Sequence, residues 1–198
     1  MKNLIHTAVR LLPFLLLGLH ATPIHAAPVA CETLPHWSAP IPTGAQAGAA
    51  TARVNLHHIF CGEPGKRGRA KGFHSVPGGL SHSAPTSYVR HQRMQGPNAA
   101  GIYTLRNITL RFEGETYNKF LSTMFPNACT HQQVLQSIVY ANTHNTGACA
   151  NPHWAVCGPS APSDGGAQYC LGDNGKPFTV AGAPKRNGKI NTGFPIDE

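Results

Sequence analysis

Acidic side chains are scarce in this chain: 8 Asp and Glu stand against 16 Lys and Arg, for a formal net charge of +8 at neutral pH. That balance disfavours cationic partners and favours anionic ones, such as nucleic acid or the polyanions of a cell envelope. Heptads and internal repeats are missing, which excludes a coiled coil or a stacked-repeat solenoid. There is no Cys-x2-Cys or His-x3-His pair, so no zinc-ribbon or helical metal-binding spacing is written into the chain. Beyond residue 26 no apolar stretch is long enough to span a bilayer.

What is present begins with a targeting segment. Lys2 and Arg10 supply positive charge, Leu11 to Leu19 form an apolar run too short for a finished spanning helix, and small residues follow. We read 1–26 as a signal peptide; its removal lowers the net charge from +8 to +6 and leaves no stable membrane association. All six cysteines lie beyond it: Cys31, Cys61, Cys129, Cys149, Cys157 and Cys170. An even count in an exported chain implies disulfides and a secreted or periplasmic location, and the spacing leaves the connectivity open. Residues 27–52 are rich in Ala, Pro, Gly and Thr, with few large apolar side chains, and read as a flexible leader to a domain over 53–198.

Within that domain the stretch NLHHIFCGEPGKRGRAKGFHS, Asn55 to Ser75, places His58 and His74 on either side of the cations Lys66, Arg67, Arg69 and Lys71. Imidazole exchanges protons near neutral pH, so such a pair suits general acid–base work on a phosphodiester. The alternative is a surface loop with scattered histidines, since the chain holds 12 of them. A short helix is expected over 53–60, carrying His58, with His57 as a structural neighbour. A loop is expected over 63–72 and another over 76–101, the latter with His82, Arg90, His91 and Arg93 as solvated side chains.

Regular structure resumes near Ile102. Ile108, Leu110 and Phe112 alternate with Thr109, Arg111 and Glu113, a half-buried strand. Glu113-Gly114-Glu115 makes a turn, and Thr116 to Leu121 forms a second strand carrying Lys119. Thr130 and Gln133 have capping-box spacing ahead of the apolar stripe Val134, Leu135, Ile138 and Val139, which predicts a core helix. Weak strand patterns recur at 177–181 and 189–194. The order of elements predicts an α+β fold with antiparallel pairing.

Three blocks together resemble the EndoU-type endoribonucleases, in particular their bacterial, toxin-like branch: HHIFCGE with GFHS, then Lys119 ahead of Ser122-Thr123-Met124-Phe125-Pro126, then Gly188 to Pro195. The resemblance implies two small antiparallel β-sheet lobes with packed helices and a cleft between them. It also implies catalysis by His58, His74 and Lys119, with His74 as base toward the ribose 2′-hydroxyl and His58 as acid toward the leaving oxygen. Ser122, Thr123, Thr192 and Phe194 would bind the substrate. The family places tyrosine where Phe194 stands, so stacking is retained and the phenol hydroxyl is lost. RNA is the implied partner, cut at uridine-containing sites to a 2′,3′-cyclic phosphate. A cognate immunity protein accompanies toxins of this kind. No cofactor is required by this chemistry, although eukaryotic relatives are associated with manganese. Two other readings stand beside it: a non-enzymatic, disulfide-stapled basic envelope protein that binds anionic polymers, and a histidine-rich metal binder.

Overall fold

The computed structural model describes residues 27–44, 46 and 48–197, so the expected signal segment lies outside the described residues. In chain order the strands are β1 (Ile41–Pro42), β2 (Thr51–Val54), β3 (Glu63–Pro64), β4 (Ala70–Lys71), β5 (Tyr88–Arg90), β6 (Arg93–Gln95), β7 (Tyr103–Phe112), β8 (Glu115–Met124), β9 (Val156–Pro159), β10 (Thr179–Gly182), β11 (Lys189–Ile190) and β12 (Gly193–Pro195). The α-helices are α1 (Leu80–Ser83) and α2 (His131–Thr143), and a π-helical turn spans His57–Cys61.

Two lobes divide the apolar residues between them. In the first, α2 carries Val134, Leu135, Ile138 and Val139 against Val54, Ile59, Phe60, Val180 and Ile190. Its sheets are β1-β2-β11 and β12-β10-β9. The capping box at its start is complete: Thr130 Oγ1 accepts from Gln133 N at 3.2 Å, and Thr130 N donates to Gln133 Oε1 at 2.8 Å. In the second lobe, Phe73, Leu105, Ile108, Leu110 and Met124 share a core under the long β7–β8 hairpin. β7 also pairs with β5 and β6 along its other edge. The fold is therefore α+β with small sheets, as the element order implies; one pair, β2 with β11, runs parallel.

Four expectations are corrected. The strands of the hairpin reach Met124 rather than ending at Leu121, so Ser122 and Thr123 lie on β8 beside Lys119. The region 76–101 contains α1, β5 and β6, with Arg90 and Arg93 on strands. The segment expected as a flexible leader is tied down along much of its length. Cys31 is bridged to Cys61, Ile41 is buried in the first core, and Ser38 N donates to Val54 O at 2.9 Å. Its composition is poor in apolar residues, but one disulfide and edge pairing to β2 substitute for a core of its own. The expected helix over 53–60 likewise begins as β2 and turns helical at His57, because β2 must reach its partners first.

All six cysteines are paired: Cys31–Cys61, Cys129–Cys170 and Cys149–Cys157. The second ties the loop after α2 to the residue just before that helix. The third closes a short loop whose tip carries Trp154. Among the described residues no helix is long and apolar enough to cross a membrane.

Candidate active site

The two histidine motifs are held together by their backbones before any side chain is considered. Phe73 N donates to His58 O at 2.6 Å, and His74 N donates to Ile59 O at 2.7 Å. This close approach needs Gly72, whose φ is +69° and whose missing Cβ would collide with the carbonyl of His58. Phe73 follows at φ 66°, a left-handed conformation held by its full burial in the second core. His58 and His74 are thereby placed with ring centroids 5.9 Å apart at the junction of the lobes.

His58 is buried at 7 % exposure, and its Nδ1 lies 2.7 Å from Glu63 Oε2. A carboxylate can only accept, so Nδ1 carries the proton and Nε2 is left for chemistry. Asn55 organises this wall. Its Oδ1 accepts from His58 N at 3.0 Å, while its Nδ2 donates to Glu63 Oε1 at 2.8 Å and to Asn191 Oδ1 at 3.0 Å. Burial opposes ionisation of Glu63, but the hydrogen bonds from His58 and Asn55 outweigh it and hold the carboxyl at about 2.

His74 is equally buried, in different company. Its Nδ1 lies 3.1 Å from Thr123 O and 3.1 Å from Ser122 Oγ. The carbonyl fixes the proton on Nδ1, which leaves the Nε2 lone pair as a base. Burial, then the neighbouring charges of Lys119 and His58, push its pKa well below the usual imidazole value. Lys119 Nζ donates to Gly72 O and, at 2.9 Å, to Ser122 Oγ. Burial brings this ammonium down to about 7. Ser122 Oγ also donates to Phe73 O, so the hydroxyl is a hub joining His74, Lys119 and the motif backbone.

A cleft of about 460 Å³ is lined by His58, His74, Lys119, Ser122, Thr123, Thr192 and Phe194, the seven positions singled out from the sequence. Phe194 stacks on His74 with centroids 5.1 Å apart. Thr192 is 6 % exposed, and its hydroxyl has no hydrogen-bond partner among the described residues. A buried free hydroxyl in a cleft wall is an opening for a ligand atom.

A sequence comparison decides the family. The family model described as bacterial EndoU nuclease matches residues 53–197. The chain belongs to that family. Comparison with curated proteins and with solved structures gave no match. This EndoU nuclease presents two imidazoles that each carry a hydrogen on Nδ1, an ammonium and hydroxyls in its cleft. Among the described residues no three His, Cys, Asp or Glu side chains are grouped to hold a metal ion. The donor set, with Glu63 committed to His58 and Asn55 and a cation at Lys119, does not fit manganese, and no step below is routed through a metal.

Three residues of the site carry no role in the sequence reading. Glu63 sits inside the first motif, five residues after His58, where a carboxylate beside an imidazole was available as a signal. Asn55 gave none, because its contacts come from β11 and the far side of the helical turn. Trp154 is delivered by the Cys149–Cys157 loop and approaches Phe194 at 6.0 Å. His57, in contrast, is structural as expected, its Nε2 lying 2.7 Å from Leu34 O.

Proposed function

We propose that this nuclease is an exported endoribonuclease that cuts RNA at uridine-containing sites and leaves a 2′,3′-cyclic phosphate. The observation that carries the reading is the pairing of two oppositely surrounded imidazoles in one cleft with Lys119. RNA contains its own nucleophile, so the protein needs a base for the 2′-hydroxyl, an acid for the departing 5′-oxygen and a cation for the phosphorus oxygens. His74, kept neutral with its Nε2 lone pair free, takes the 2′-hydroxyl proton. The 2′-oxygen then attacks phosphorus, and the bond to the 5′-oxygen breaks as His58 delivers a proton to it. The Glu63 carboxylate is the counter-charge for the imidazolium of His58. Lys119 stabilises the charge that develops on the phosphorane oxygens. Phe194 stacks on the base, and the unpaired hydroxyl of Thr192 offers it a hydrogen bond. Thr123 lines the same wall; Ser122 serves by holding Lys119 and His74. Action as an antibacterial toxin, with a cognate immunity protein, belongs to the same reading.

Incubation of the purified protein with a short RNA, in chelator, tests it. The expected products end in cyclic phosphate, and a substrate with 2′-deoxyribose at the cleavage site survives. Cutting of DNA or of the deoxy-substituted strand would rule out this chemistry. Thr192→Ala is expected to narrow the preference for uridine over cytidine in kcat/KM while leaving Phe194 stacking in place.

A further inference from the structure

Beside the cleft, and sharing Lys119 with it, lies a second groove that the reaction above does not use. It measures about 660 Å³ and is lined by Arg69, Arg90, Asn107, Asn118, Lys119 and Phe120 among others. Lys119 borders both spaces, so the groove lies beside the residue proposed to face the scissile phosphate. Among the described residues no carboxylate lines it. Its size falls within the range of about 300–1,000 Å³ usual for small-ligand sites.

Phe120 is the feature that asks for an explanation. It is 72 % exposed, the most exposed of the large apolar side chains described. It lies on β8 between two cleft-lining residues, Lys119 and Leu121. The β7–β8 ladder pairs Arg106 with Leu121 and Ile108 with Lys119, and Asn107 and Phe120 lie between these pairs with the register unshifted. There Asn107 takes a left-handed φ of 50°, and its side chain donates to Gln92 Oε1 at 2.8 Å. This left-handed residue stands beside the site rather than at a strand end. The guanidinium of Arg106 lies 5.8 Å from the Phe120 ring centroid, which leaves a ring backed by a cation. Arg69 is brought alongside by a parallel bridge between its backbone and Asn118.

We propose that this groove is a subsite for a nucleotide one step beyond the two that the scissile linkage joins, its base stacked on Phe120 and its phosphate held by Arg69 and Arg90. The inference rests on the endoribonuclease reading and deepens it. An aromatic face next to clustered cations is how single-stranded nucleic acid is held without base selection. The enzyme therefore selects uridine in the cleft and accepts any base in the groove, which requires a substrate strand longer than a dinucleotide.

The test compares cleavage of a uridine-containing dinucleotide with oligonucleotides extended on the 5′ side alone or the 3′ side alone. Phe120→Ala should cut the dinucleotide like the wild type and lose about 5- to 150-fold in kcat/KM on one extended series. Phe120→Trp should restore it. Arg69→Ala with Arg90→Ala should weaken the same series and flatten its salt dependence by about 0.7 in log–log slope per lost phosphate contact. Equal cutting of both extended series by wild type and Phe120→Ala would overturn the subsite and turn the exposed ring toward a protein contact. A matching loss on the dinucleotide would overturn it too, because the ring would then be supporting Lys119. A wild type that cuts no RNA of any length would instead remove the endoribonuclease reading on which the subsite rests.

Discussion

On one wall of the cleft His58 gives its Nδ1 proton to a carboxylate; on the other His74 gives its own to a backbone carbonyl and stands beside an ammonium. The two imidazoles both carry a hydrogen on Nδ1 and share a depth of burial and a common backbone anchor, yet their charge environments are opposite. Glu63, ionised down to about 2, supplies a counter-charge at every physiological pH. Burial and Lys119 deny one to His74. Pairs of similar groups whose surroundings pull them apart are how one site performs acid and base steps at a single pH. The contrast also gives the proposed acid and base roles a physical argument that does not depend on resemblance.

The largest effect that can break this comparison comes from the histidines themselves. His58→Ala and His74→Ala should each lower kcat/KM by about 10²–10⁴-fold on RNA. They should differ on a uridine 3′-phosphate ester whose leaving group is a nitrophenolate, which needs no proton to depart. His58→Ala should recover much of its activity on that ester, and His74→Ala should not. Equal recovery, or recovery in the other variant, would reverse the assignment.

A smaller effect sharpens the His58 wall. Glu63→Gln keeps the shape and removes the charge, and loss of a charged hydrogen bond is worth about 1.5–3 kcal/mol, roughly a 10- to 100-fold fall in kcat/KM. The same change should alter acid stability. The folded carboxyl ionises at about 2 against an ordinary 4.5, so its contribution is present above 4.5 and is lost as pH falls from there toward 2. With a fifth of the side chain exposed, that contribution is about 1–3 kcal/mol after allowance for solvent screening. Glu63→Gln should therefore lose less stability than the wild type across that window in chemical denaturation. Parallel curves for the two proteins would show that the Glu63–His58 bond does not hold the wall.

How much of this was legible in the sequence follows from the range of the forces involved. The hairpin and α2 are written in local periodicity and a local capping box, so their positions could be read directly. The seven proposed site residues were legible because three short blocks keep a family's residue order, although they close on one another over more than a hundred positions. Asn55, Trp154 and Phe120 were not legible. Asn55 acts through partners on β11 and beyond the helical turn. Trp154 depends on the Cys149–Cys157 closure, and cysteine spacing alone leaves pairing open. Phe120 reads as one more apolar residue on a strand until the fold shows its ring exposed against Arg106. The segment 27–52 carries a related lesson: a stretch poor in apolar residues can still be fastened by one disulfide and by the edge of a neighbouring strand.

The smallest effect concerns the cation on the His74 wall, and it is read in stability rather than rate. Burial lowers Lys119 to about 7 from 10.5, so between those values the unfolded chain binds a proton that the folded one does not. Under that condition stability rises with pH, and the cost of the buried charge, present in full below about 7, is relieved by about 10.5. The displacement from 10.5 to about 7 corresponds to a cost of up to about 5 kcal/mol. Lys119→Met removes the titrating group and keeps a flexible side chain of similar reach. The stability of wild type minus that of Lys119→Met should thus climb between pH 7 and 10.5 and level off outside that window. Every group shared by the two proteins cancels in this difference. His74, which also feels Lys119, titrates below the window and leaves it undisturbed. In activity the same titration should appear as a fall in kcat/KM as pH rises through about 7, since the free enzyme then loses the charge meant for the phosphate. A flat difference curve together with full activity at pH 9 would mean that Lys119 keeps its proton throughout. The cation would then be a fixed charge rather than a poised one, and the contrast between the two walls would rest on Glu63 and burial alone.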